Sequence, residues 1–552
     1  MAIRIPIGGE FFDKIIKNGS YYIDKTELIY ELLTQDDVSV ALFTRPRRFG
    51  KTLTMTMLQS FLDITQDSRE LFKGLSVSKH EQFCDDWMNR YPVVFLTLKD
   101  VEGLSYDSAY SSLESLIARS FGDYFRLEND ERITPEDREA FHNLIYRCAS
   151  SDEIKNSLRT ISNVLKAVYE KPVVLLIDEY DVPLAKAREN GYYPQMLDLM
   201  RRFLSSGLKT NNNLAKAILT GCLRISKESI FTGVNNFASF SVLDKSFSNY
   251  FGFTYDEVSA LLHAAERDDH LQIMKEWYDG YIFGNTPVYC PWDAVQYVAN
   301  IIKFPNDKPK NYWKNSSGNG IIREFVEDDN FNVNDKFETL LNGGTITQKI
   351  SDELTYDKLK FSEDNLWSVL VMTGYLTKAD PEEDGDTVSL RIPNAEIATI
   401  FEETVVSWFS ETLDTERLNS LMNALWNGDE AAASEIFSDM LFDTISYMDY
   451  HEDYYHAFLA GVFVGRGYGV ESNKEKGLGR PDIFLTDRKN RRAMLIEAKK
   501  SRSEERMEQD CREALAQIDE QQYARRLKGY RQVMRYGVAF FEKQALVKKS
   551  EE

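Results

Sequence analysis

The apolar run from Val38 to Thr44 leads into Arg45-Pro46-Arg47-Arg48-Phe49-Gly50-Lys51-Thr52. Beyond it, Leu53 to Leu62 repeats apolar positions at helical spacing. A buried strand, a basic turn and a helix opening on Gly-Lys-Thr form the geometry of a phosphate-binding loop. Main-chain N–H groups at a helix N-terminus point at an anion, and the helix dipole favours negative charge there. In this reading the backbone of Arg47, Arg48, Phe49 and Gly50 wraps the phosphates. Lys51 reaches the β- and γ-phosphates, and the Thr52 hydroxyl holds Mg2+. One place departs from the usual pattern. Arg45 stands where the first glycine is expected, and Pro46 removes one N–H donor.

A second stretch supports the nucleotide reading. Val173 to Ile177 is a continuous apolar run that ends in Asp178 and Glu179. Such runs are buried parallel strands, and ligands collect at the carboxyl ends of parallel strands. Asp178 is expected to hold Mg2+ through its water shell, and Glu179 to polarise the attacking water. Leu214 to Gly221 reads as a further strand that places Thr220 as a polar sensor of the γ-phosphate. Arg224 follows as a candidate contact to phosphate charge, in the same chain or across a subunit boundary, against the alternative of a surface ion pair. A shared site of that kind implies a homo-oligomer.

Length and composition bound the rest. A chain of 552 residues is too long for one core and suggests about three domains. No apolar stretch approaches a membrane span, and Met1 to Pro6 is no signal peptide. The five cysteines show no pairing or metal spacing. Together these features point to a reducing cytoplasm and no membrane partner. A net charge of −22 argues against a chain coated with nucleic acid but leaves room for a local basic groove. From Lys474 onward the balance turns positive, through Arg480, Arg488, Lys489, Arg491 and Arg492 to Arg531. Charge alone leaves a nucleic-acid groove and solvated helix faces equally open.

Along the chain, Tyr21 to Thr26 forms an aromatic turn before a helix at Glu27–Leu33, placed either to cover an adenine ring or simply to pack. Val93 to Leu98 is another buried strand, residues 105–170 are mostly helical, and a helix covers 194–206. Strands alternating with helices give a doubly wound parallel sheet. From Phe251 helices and tyrosine-rich turns take over. Trp367–Thr377 and Thr387–Ile392 are expected to form a hairpin around the acidic turn at 380–386, and helices fill 395–445.

The last hundred or so residues hold a second constellation. The expected order is a helix over Tyr454–Arg466, strands at Tyr468–Ser472, Pro481–Thr486 and Ala493–Lys499, a helix over Glu504–Leu527, and a strand near Val533–Phe541. Side chains alternate along a strand, so Glu497 and Lys499 share a face that Asp482 on the neighbouring strand meets. Two carboxylates and a lysine at one sheet edge are what metal-dependent phosphodiester cleavage requires. Asp482 and Glu497 would hold Mg2+, Lys499 would position or activate the nucleophile, and Glu452 upstream would complete the metal shell. Gln517 and Tyr523 are candidates for contacts to the substrate backbone. The alternative is an exposed edge strand with an ion pair.

These residues match known families. Tyr22–Thr26, Arg45–Thr52, Ile177–Asp181, Leu219–Gly221, Tyr250–Thr254 and Trp277–Tyr281 make residues 4–300 resemble the bacterial AAA-ATPase-like family, in which the Arg-Pro-Arg-Arg-Phe-Gly-Lys form is usual. Gly479–Asp482, Glu497–Lys499 and Glu452 with Tyr455-His456 make 448–545 resemble the PD-(D/E)XK nuclease superfamily, although Gln522 stands where a lysine usually precedes the tyrosine. The resemblance implies an α/β fold in three parts: a P-loop ATPase parallel-sheet domain, a helical middle region, and a C-terminal restriction-endonuclease-like α/β domain. The expected divisions are 1–250 for the ATPase domain, 251–365 for the helical middle region, 366–446 for a hairpin and helical connector, and 447–552 for the nuclease-like domain. It also implies ATP and Mg2+ as cofactors and nucleic acid, DNA before RNA, as partner, with the ATP state gating cleavage or DNA engagement. The competing reading is an ATP-driven switch of signalling or defence type whose C-terminal domain binds nucleic acid without cutting it.

Overall fold

The computed structural model describes residues 3–225, 231, 236–313, 334–341, 343–354, 362–383, 385–401, 415–442, 459, 469–472, 482–487, 490–520 and 530–550. The chain divides into two compact units. One comprises 1–325 and 347–398, and the other 326–346 and 399–552.

The first unit is built on a five-stranded sheet of β1 (Val40–Thr44), β2 (Val93–Thr97), β3 (Val173–Asp178), β4 (Leu214–Gly221) and β6 (Phe237–Phe240), in the order β2-β3-β4-β1-β6. Every neighbouring pair is parallel. All five residues of β1 and all six of β3 are buried. Successive side chains leave a strand on opposite sides, so both faces of the sheet are covered. Helices Lys51–Leu62, Tyr106–Gly122 and Ser151–Tyr169 pack on the strands, and Tyr193–Leu208 packs on Ser151–Tyr169. Ser151–Tyr169 starts on a capping box in which Ser150 and Glu153 satisfy each other's backbone N–H groups. Pairing aligns Phe43 with Thr220, Thr44 with Gly221, and Thr97 with Asp178. The polar strand ends expected from the sequence therefore emerge at one edge of the sheet.

The sequence reading passed over several elements. β6 is a four-residue strand without an apolar run, and β5 (Arg224–Ile225) pairs with β10 (Glu353–Leu354), remote in sequence. β7 (Tyr281–Phe283) and β8 (Thr286–Val288) form a tight hairpin whose turn contains Gly284. The hairpin expected to begin at Trp367 needs correction. Residues Glu363–Thr373 are helical, and the helix stops at Gly374, which takes φ 89. Of the expected hairpin only β11 (Thr377–Lys378) and β12 (Thr387–Arg391) remain, paired antiparallel, and β9 (Ile346–Lys349) joins the other side of β12. The run from Trp367 to Met372 is buried throughout, so its apolar residues do not alternate as a half-buried strand would.

The second unit carries a sheet in the order β13-β14-β15-β16-β17. Its strands are β13 (Gly469–Ser472), β14 (Ile483–Asp487), β15 (Arg492–Lys500), β16 (Gln532–Phe541) and β17 (Gln544–Lys549). Only β15 and β16 run parallel. Helix Met507–Glu520 makes the crossover between them and lies close to the sheet. A Cβ on Gly537 would stand 2.3 Å from the Cys511 carbonyl oxygen, so only glycine fits there. β17 was not foreseen. Helix Glu430–Phe442 covers it, with the Ser438 hydroxyl accepting from Ala545 N–H at 3.0 Å and Ser434 from Val547 N–H at 2.9 Å. Among the described residues no helix is long and apolar enough to cross a membrane.

Candidate functional site

The loop after β1 is shaped by two left-handed residues, Arg48 at φ 75 and Gly50 at φ 78. Helix Lys51–Leu62 then begins without a side-chain cap. That leaves the first-turn N–H groups to an anion. Lys51 is buried and donates to the carbonyls of Arg45 at 3.1 Å and Pro46 at 3.2 Å. Its ammonium also lies 3.4 Å from Glu179 Oε1 and 3.6 Å from Cys222 Sγ. Burial works against the charge, but Cys222, Glu179, Asp178 and Asp181 outweigh it and raise the pKa of Lys51.

The Thr52 hydroxyl donates to Asp178 Oδ2 at 2.7 Å, and Thr220 donates to the other oxygen of the same carboxylate. Burial raises the pKa of Asp178, with Glu179 adding to the effect and the two hydroxyls opposing it. The Glu179 N–H donates to Thr220 Oγ1 at 3.4 Å. Lys51, Thr52, Asp178, Glu179 and Thr220 thus meet within hydrogen-bond or ion-pair reach. Asp181 adds a carboxylate to which the sequence reading gave no role. It accepts from the N–H groups of Cys222 and Leu223, each at 3.0 Å, and burial next to Glu179 lifts it to about 6.

Beside the loop lies a cavity of about 700 Å3, within the usual range for small-molecule sites. Arg47, Lys51, Thr52 and Glu179 are among its polar lining residues, and Ile5, Ile23, Leu261 and Val295 among its apolar ones. Arg48 and Trp292 line it as well, the guanidinium stacked on the indole at 3.9 Å. Phe49 also lines the cavity, and its ring packs on Tyr281 at 5.0 Å and Phe283 at 4.9 Å. Arg224 is held by Asp352 at 3.2 Å and does not line the cavity. Tyr21 and Tyr22 of the aromatic turn do line it. Leu261, Trp292 and Val295 escaped the sequence reading because nothing in a helical apolar face says which cavity it walls.

In the second unit, the pairing of Ile483 with Ile496 sets Asp482 beside Glu497. Each carboxylate is fixed by the other's strand. Asp482 N–H donates to Glu497 Oε2 at 3.2 Å, and Ala498 N–H donates to Asp482 Oδ2 at 2.9 Å. Gln517 donates to Glu497 Oε1 at 2.5 Å, so it reaches the carboxylate, a contact the sequence did not suggest. Lys499 lies two residues along β15 on the face of Glu497. Glu452 and Tyr523 lie outside the described residues.

Both sites offer oxygen donors, the set a hard divalent cation takes. Thr52 with Asp178, and Asp482 with Glu497, fit Mg2+. Among the described residues no three His, Cys, Asp or Glu side chains converge as a closed metal cage. Mg2+ at phosphate sites is commonly held by one or two carboxylates plus substrate oxygens and water, so the arrangement suits it.

Comparison with known proteins agrees with this division. Residues 6–231 match the family described as "Predicted AAA-ATPase", and residues 450–550 match the PD-(D/E)XK nuclease superfamily. The "Uncharacterized protein in vnfD 5'region" of Azotobacter chroococcum mcd 1 is 24% identical over 506 residues, 87% of this chain and 87% of that protein. The match to the predicted AAA-ATPase family thus falls on the segment that holds Lys51 and Asp178, and the match to the PD-(D/E)XK nuclease superfamily on the C-terminal segment that holds Asp482 and Glu497.

Proposed function

We propose that the protein binds and hydrolyses ATP at the Lys51 loop and cuts nucleic acid, DNA in the first instance, at Asp482, Glu497 and Lys499, with the ATP state gating cleavage or DNA engagement. The observation that carries the ATP half is the convergence of Thr52 and Thr220 on the single carboxylate of Asp178, with Lys51 and Glu179 beside it. Mg2+, when bound, supplies charge neutralisation at the phosphates. Lys51 binds the β- and γ-phosphate oxygens, and Thr52 and Asp178 orient the ion. Glu179 accepts the proton of the attacking water, with Thr220 holding its backbone in place. The apolar lining residues of the cavity take the base. For Arg224 to serve phosphate charge, its pairing with Asp352 has to open.

At the second site Asp482 and Glu497 present oxygen atoms to the metal and Lys499 positions the nucleophile. The reciprocal backbone bonds hold the two carboxylates together before substrate arrives, which lowers the cost of assembling the site.

One pair of assays tests both halves. Mg2+-dependent ATP turnover is expected in the wild type and lost in Lys51→Ala. DNA and RNA are then offered with Mg2+, with and without ATP, to the wild type and to Asp482→Ala. Cleavage absent from the wild type on every substrate would remove the nuclease half and leave the binding switch.

A further inference from the structure

Arg47, Arg48 and Lys51 line the cavity and Arg45 does not. The backbone of Arg45 does not need a glycine. The loop's left-handed turns fall at Arg48 and Gly50, and Arg45 is not among the positive-φ residues. Its guanidinium is fully buried, both terminal nitrogens donate to carbonyl groups, and Nε has no hydrogen-bond partner. Nη1 donates to the carbonyls of Thr44 at 2.9 Å and Phe240 at 2.7 Å, and Nη2 to that of Phe247 at 3.4 Å. The rings of Phe251 and Phe283 stand 5.0 and 5.5 Å from it, and Asp244 supplies its nearest opposing charge at longer range. A desolvated cation held this way is costly unless its geometry is used, and only a planar fork reaches both turn carbonyls at once.

The main chain of the same residue makes two further ties. The Arg45 N–H donates to Gly221 O at 3.0 Å, next to Thr220, and the Arg45 carbonyl accepts from Lys51 Nζ at 3.1 Å. We infer that Arg45 is a positioning residue for the nucleotide. Its fork fixes the exit of β1 against the turn at 240–247, and its carbonyl thereby sets where Lys51 waits for phosphate. An arginine replaces the customary glycine because this loop is anchored from behind.

This inference rests on the ATP reading above, and the test separates the two. Full-length Arg45→Gly, which restores the ordinary motif, is compared with Arg45→Lys and Arg45→Met for ATP affinity and for melting temperature with and without Mg-ATP. Arg45→Gly and Arg45→Met are expected to weaken ATP binding at least tenfold and to shrink the rise in melting temperature that ATP causes. Arg45→Lys, which keeps the charge and one carbonyl contact, recovers part of both. Equal melting losses with and without ATP, at unchanged affinity, would make Arg45 a packing residue and overturn the inference. Should Arg45→Gly fail to fold, a folded Arg45→Lys that binds ATP as the wild type does would overturn it equally. Wild-type protein that binds no ATP overturns the ATP reading and the nucleotide role of Arg45 with it.

Discussion

Glu179 holds a left-handed backbone at φ 54, a conformation that costs a non-glycine residue on the order of 1–3 kcal/mol. The turn sends its carboxylate back toward Lys51 while its N–H stays on Thr220. If Glu179 is the base, Glu179→Gln should keep ATP affinity within a fewfold and lower turnover by about 10²–10⁴-fold, measured by equilibrium binding beside steady-state hydrolysis. Asp293 and Glu396, both fully buried, make a second residue-scale case. Burial raises each, and each carboxyl lies close enough to act on the other. The folded state thus favours their neutral forms. That stability is fully present below the ordinary carboxylate pKa, declines as pH rises above it, and is lost once the pair, held above the ordinary carboxylate range by burial, has ionised. Melting temperature should therefore fall from pH 7 to pH 10 in the wild type and fall less in Glu396→Gln. Asp178 and Glu179 were legible in the sequence because they close a contiguous apolar run, and Lys51 because Gly-Lys-Thr follows such a run through a short basic turn into a helix. Trp292 and the Asp293–Glu396 pair were not, since only tertiary folding brings positions so far apart together.

At the scale of elements, helix Met507–Glu520 matters as a carrier, because it delivers Gln517 to Glu497. Groups that orient a metal-binding carboxylate typically matter by 10–100-fold. Gln517→Ala should lower Mg2+-dependent cleavage by about that factor with a melting temperature close to the wild type. Unchanged cleavage would reduce the contact to packing. Long apolar strands such as β1, β3 and β15 could be read directly from the chain. β6, β5 and β17 could not, because strands without a contiguous apolar run gain their order from a partner: β6 from β1, β5 from β10, β17 from β16. The segment Trp367–Met372 misled for a related reason. A uniformly buried run fits strand and helix alike until its length and its terminating glycine decide.

For the whole molecule, division into two compact units predicts unfolding in more than one step. Saturating Mg-ATP, at about 100 times its dissociation constant, adds roughly 2.7 kcal/mol to whichever unit binds it. Calorimetry should show that gain in the transition of the unit containing Lys51 and no gain in Lys51→Ala. If the ATP state gates cutting, cleavage by the Glu179→Gln protein should respond to ATP addition without turnover. Equal cleavage with and without nucleotide would separate the two activities. One detail of the resting loop bears on selectivity. The Lys51 ammonium is already engaged by two carbonyls and a carboxylate. A free inorganic anion must break those bonds with little to offer in return, whereas a polyphosphate carrying its own metal and a base brings several contacts at once. If the pocket takes ATP as proposed, those bonds bias it against the small anions that crowd a cell and toward an intact nucleotide.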